Sequence, residues 1–126
     1  MNKEDLIRLT KEHIHEATHY NVEYLKKVYS DNVMYVMVNE NDEISTMSKS
    51  DLLAYFTQRQ NARLAPLAET SDFLYANAYE NTAMVIVNRE MEFNGRLEKM
   101  LFTLIWEKTD SGWIICKESV SVKPIE

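Results

Sequence analysis

The chain has 126 residues, 45% of them hydrophobic and 27% charged, which suits one globular domain spanning 1–126. A net charge of −6 argues against nucleic acid or an anionic membrane as partner, since both need a basic face. No apolar run approaches a membrane span, the charged start lacks a signal-peptide core, and Cys116 is the single cysteine, so the expected setting is the reducing cytoplasm. Helix formers without a breaker predict a helix over residues 3–19. VEYLKKVYS (22–30) predicts a second, short helix, and VMYVMV (33–38) a strand. A polar turn, ENDE, leads into a short return strand at EIST. Ser48 is a natural N-cap, and Asp51 favours the first turn of a helix over DLLAYFTQRQNARL (51–64), which stops before Pro66.

The second half reads as strands: TSDFLYANAY (70–79), TAMVIVNREMEF (82–93), RLEKMLFTLIWEK (96–108) and GWIICKESVSV (112–122). Asn94-Gly95 is a strong signal for a two-residue hairpin turn, and TDSG marks another. The layout is α+β, with three helices in the N-terminal half packed on one face of an antiparallel sheet.

Residues 15–19 spell HEATH, which matches the zinc-hydrolase pattern H-E-x-x-H. At about 100° per residue, Leu6, Leu9, Thr10, His13, Ile14, Ala17 and Tyr20 share one arc of the first helix. That arc must meet the sheet, so His13 faces inward while His15 and His19 face water. Val22 and Leu25 stand where a longer metalloprotease pattern needs Gly and a third His, and no later carboxylate is an evident third ligand. No metal and no cofactor are expected.

Several stretches together resemble the nuclear transport factor 2-like superfamily, which includes SnoaL-like and ketosteroid-isomerase-like proteins. YNVEYLKKVYSDNVMYV is similar to its second helix and first strand, and Tyr29 to Val33 resemble a recurrent Y-A-D-D-V phrase. SKSDLLAYF resembles the helix that closes its cone, and LIWEKTDSGWIICKESVS its final hairpin. The resemblance covers nearly the whole chain. It implies a curved sheet wrapped against the helices around a cone-shaped pocket. Fold alone delivers no reaction. Ketosteroid isomerases of this fold carry an aspartate base just after the first strand, where this chain has Met37-Val38-Asn39-Glu40. Where many relatives carry histidines on the last strand, Lys117 and Ser119 are expected here.

A regular two-residue turn at Asn94-Gly95 sets Arg89 opposite Met100, Val87 opposite Phe102 and Val85 opposite Leu104. The resemblance turns the Phe102 and Trp106 face inward, unless a bulge reverses it. His13 and Arg89 are then the catalytic candidates, and Tyr35, Tyr55, Arg59, Phe102, Leu104 and Trp106 the ligand-binding ones. Each also has a plain structural reading: His13 and the aromatic residues as core, Arg89 as a surface ion-pair residue. Cys116 reads as a small buried hydrophobe.

The functional expectation is a small dimeric protein that binds a small, largely apolar molecule. A cofactor-independent lyase or isomerase using His13 with Arg89 or a tyrosine is the alternative, and an interaction module without a working pocket is a third. The homodimer is expected through the sheet, because Met84, Ile86, Leu101 and Ile105 form an apolar outer face that the helices cannot reach.

Overall fold

The computed structural model describes residues 1–93 and 95–125. Three helices come first: α1 (Lys3–Thr18), α2 (Val22–Val28) and, after two strands, α3 (Lys49–Asn61). Each begins where a side chain satisfies a free backbone N–H. Asn2 accepts from the Asp5 amide, Asn21 from the Tyr24 amide, and Ser48 from the Asp51 amide. Asp51 returns the bond to the Ser48 amide, completing a capping box.

The strands are β1 (Tyr29–Val38), β2 (Ile44–Met47), β3 (Asp72–Tyr79), β4 (Thr82–Phe93), β5 (Arg96–Thr109) and β6 (Gly112–Pro124). They form one sheet in the order β2-β1-β6-β5-β4-β3. The expected all-antiparallel sheet needs one correction, because β1 and β6 run parallel. The crossover through α3 and three successive reversals in the meander bring β6 alongside β1 in the same direction. The β4–β5 register is as expected: Arg89 pairs with Met100, Val87 with Phe102 and Val85 with Leu104. Gly95 holds φ at 82°, a conformation that suits glycine, whereas Asn94 lies outside the described residues.

Register shifts interrupt the β1–β6, β3–β4 and β5–β6 pairs. On β6, Ile115 faces Trp106 and Lys117 faces Ile105, so Cys116 is an extra residue with no partner. Such bulges bend strands and sharpen twist, which curves the sheet around its contents. Val85, Val87, Leu104, Trp106 and Ile115 turn to the helices and are buried with Leu6 and Leu25 of α1 and α2. A second cluster, Met91, Met100, Val120 and Val122, sits further along the same strands. Tyr35 and Phe102 pack against both clusters, and the space between them is the cone. Among the described residues no helix is long and apolar enough to cross a membrane.

Candidate functional site

A cavity of about 310 Å³ opens between α1, α3 and the concave sheet face. That is at the small end of the range usual for ligand pockets. Most of its wall is apolar. Met37, Met47, Met91 and Met100 contribute flexible thioethers, and Val87, Phe102, Leu104 and Val120 line the sheet side. The polar wall is confined to His13, Thr18, Tyr29, Tyr35, Tyr55, Arg89 and Glu118.

His13 reaches this wall because it lies on the apolar arc of α1, and it is 4% exposed. Its Nδ1 is 3.2 Å from the Tyr24 hydroxyl, which is placed to donate to it. Nε2 then carries the proton and lies 3.9 Å from a Glu118 oxygen, a near approach rather than a hydrogen bond. The rings of Tyr29 and Trp106 meet His13 edge-on. Burial, helped by the Arg89 charge, lowers the His13 pKa to about 3. The imidazole is therefore neutral at physiological pH.

Glu118 is the residue that sequence reasoning missed. Simple alternation from Gly-Trp places Lys117 and Ser119 at the pocket, yet both are exposed while Glu118 is 5% exposed. The unpaired Cys116 shifts the alternation by one residue and turns Glu118 inward. Tyr29 donates its hydroxyl to Glu118 at 3.1 Å. Burial raises the Glu118 pKa to about 7, opposed by the Tyr29 hydrogen bond and by Arg89. The two buried groups are coupled. While Glu118 keeps its proton, it offers His13 no negative charge to hold a second one.

Arg89 is 8% exposed, so the surface ion-pair reading fails. Its guanidinium donates to the Ala68 carbonyl at 2.8 Å and stacks over Phe102 at 5.3 Å. Burial pulls its pKa down and Glu118 pushes it back up, yet an arginine stays charged in this setting. Its Nε is buried without a partner among the described residues.

Of the eight sequence candidates, the cavity wall brings together His13, Arg89, Tyr35, Tyr55, Phe102 and Leu104. Trp106 and Arg59 do not belong to it. Trp106 is fully buried behind the His13 ring. Arg59 turns away to donate to the Tyr20 hydroxyl at 3.1 Å and to stack between Tyr20 and Tyr55. Glu40, the residue nearest the expected aspartate position, is exposed and ion-paired to Arg96 at 2.6 Å. Cys116 is half-buried and donates to the Ile105 carbonyl, so it is less enclosed than expected.

The HEATH histidines face water, as the helical geometry predicts. A carboxylate that the sequence did not point to lies beside them. Glu69, from the segment between α3 and β3, lies 2.8 Å from His15 Nδ1, and His15, His19 and Glu69 hold their ligand atoms within 4.8 Å of one another.

No protein-family model matches the chain, and no curated protein matches it in sequence. Solved structures do match. A nuclear transport factor 2-like protein of unknown function from Silicibacter pomeroyi superposes with a TM-score of 0.74 at 15% identity, covering 97% of this chain and 99% of that one. A nuclear transport factor 2-like protein from Cytophaga hutchinsonii gives 0.73 at 20% identity, covering 99% and 100%. A protein from Parabacteroides distasonis, provisionally described as a ketosteroid isomerase, gives 0.64 at 16% identity, covering 100% and 89%. The chain has the nuclear transport factor 2-like fold.

Proposed function

We propose that the chain binds a small, largely apolar molecule carrying a hydrogen-bond acceptor, such as a ketone. The observation that carries this reading is a cavity whose mostly apolar wall holds the buried ionisable side chains His13, Glu118, Tyr29 and Arg89. Below about pH 7 Glu118 retains its proton and can donate it. A carboxylic acid kept neutral by an apolar site is a strong donor to a carbonyl oxygen. The test is an NMR titration with apolar ketones and with hydrocarbons of the same size. Saturable methyl shifts at Val87, Leu104 and Val120, stronger for ketones, are expected. If no compound shifts these methyls at millimolar concentration, the reading fails.

The proximity of Glu118 and His13 supports a second reading, a cofactor-independent lyase or isomerase. Glu118 would stabilise a developing enolate, and His13 would move the proton. A base with a pKa near 3 is weak for that task, and so binding without turnover is preferred. Isomerisation of an unsaturated ketone, lost on Glu118→Gln and on His13→Asn, would reverse that preference. An interaction module with a filled cone is disfavoured by the open cavity.

The partner proposed for the outer sheet face is a second copy. Met84, Tyr75 and Leu101 are exposed there, with Ile86 and Ile105 half-exposed beside them. Cross-strand pairing joins Tyr75 to Ile86 and Met84 to Ile105, which makes the apolar surface continuous. The proposed compartment is the cytoplasm, supported by the lone Cys116, which can form no intrachain disulfide.

A further inference from the structure

The geometry points to a divalent transition-metal site, best suited to zinc, formed by His15, His19 and Glu69 on the surface beside the cavity. Two histidines one helical turn apart place their rings 4.2 Å apart between centroids, tilted by 36°. His19 donates Nδ1–H to the His15 carbonyl at 2.8 Å, which fixes its tautomer and leaves the Nε2 lone pair free. A ring nitrogen anchored to a backbone carbonyl is the usual support for a metal-binding histidine. His15 directs Nδ1 at Glu69 Oε1, 2.8 Å away, so a cation replacing the shared proton would bridge nitrogen and oxygen. The three ligand atoms lie within 4.8 Å of one another. Ligands of a tetrahedral zinc at about 2.05 Å stand about 3.4 Å apart, between the 2.8 Å of the His15–Glu69 pair and the 4.8 Å limit of the group, an adjustment that small rotations of exposed side chains can make. Two histidines and one carboxylate with a free fourth position is a set that suits zinc.

Glu69 is held ready from behind. The segment that carries it is tied down by three bonds: the Tyr20 hydroxyl to the Ala65 carbonyl at 2.7 Å, the Leu67 amide to the Thr18 carbonyl at 3.1 Å, and Arg89 to the Ala68 carbonyl at 2.8 Å. Two of those anchors, Leu67 and Arg89, also line the cavity. A metal at this site would therefore act as a clamp between the end of α1 and the rim of the pocket. Glu16, the motif glutamate, accepts a hydrogen bond from Asn21 and is not one of the three ligand residues.

The test is calorimetric titration of the purified chain with zinc chloride. One saturable equivalent is expected, abolished in His19→Ala and weakened by about tenfold or more in Glu69→Gln. All three side chains are exposed, so the variants should fold, and circular dichroism checks this. Zinc should also raise the melting temperature of the parent chain but not of His19→Ala, and slow amide exchange at Leu67, Ala68 and Glu69. Failure to saturate below about 100 µM, near −5.5 kcal/mol, would overturn the site. Equal affinity in Glu69→Gln would reduce it to a bare histidine pair and overturn the clamp.

Discussion

Glu118 and His13 are buried ionisable groups whose pKa values move in opposite directions, and their effects on stability oppose each other. Glu118 is raised from 4.5 to about 7, so its contribution is fully present below pH 4.5 and is lost as pH rises through 7. His13 is lowered from 6.5 to about 3, so the folded state gains stability as pH rises from 3 to 6.5. Between pH 4.5 and 6.5 the slopes cancel, each being at most about 1.4 kcal/mol per pH unit. Urea denaturation should therefore show a flat profile in that window for the parent chain. Glu118→Gln removes one slope and should make stability climb across it. A variant profile as flat as the parent's would show that burial does not depress His13, and a parent profile that already climbs would show that Glu118 is ionised across the window. His13 and Arg89 were legible in the sequence because helical phase and hairpin register locate them. Glu118 was not, because Cys116 leaves the ladder and no local signal marks which residue of ICKES does so.

Elements were more legible than residues, since each rests on a local device. The Ser48 and Asp51 capping box is one, and the two-residue loop that pairs Phe93 with Arg96 is another. Ser48→Ala should cost about 1 kcal/mol, read as a lower denaturation midpoint, because one amide in the first turn of α3 loses its acceptor. No loss would mean that α3 is held by packing alone. The direction of β6 relative to β1 was not legible. The two strands are joined by a long crossover, and strand composition carries no trace of orientation.

At the scale of the whole molecule, the inner and outer sheet faces were separable from the sequence because the hairpin register sets their alternation. Val85 and Val87 are buried beneath the helices, whereas Met84 is exposed on the opposite face. Ile86→Asp should convert a dimer to a monomer in light scattering without unfolding the chain, because a charge there would be buried at a twofold contact. A parent chain that is monomeric at micromolar concentration would overturn the proposed dimer, and a dimer that survives the substitution would move the contact to another face. The cavity itself was expected from resemblance, since no periodicity in the sequence measures empty space.

The parallel contact between β1 and β6 also governs how the chain reaches its final form. Tyr29 and Glu118, which meet in the wall of the cavity, are 89 residues apart along the chain. The β4–β5 and β5–β6 hairpins need only short loop closures, whereas seating β1 must order most of the chain for its first reward. The meander should therefore be the nucleus and β1 the last strand to dock. Val85→Ala should slow refolding, whereas Val33→Ala should mainly speed unfolding. Stopped-flow rates across urea would separate the two, and a high φ at Val33 would reverse the order. On this route the cavity is the last feature to form, and a ligand that occupies it would slow unfolding while leaving the refolding rate unchanged.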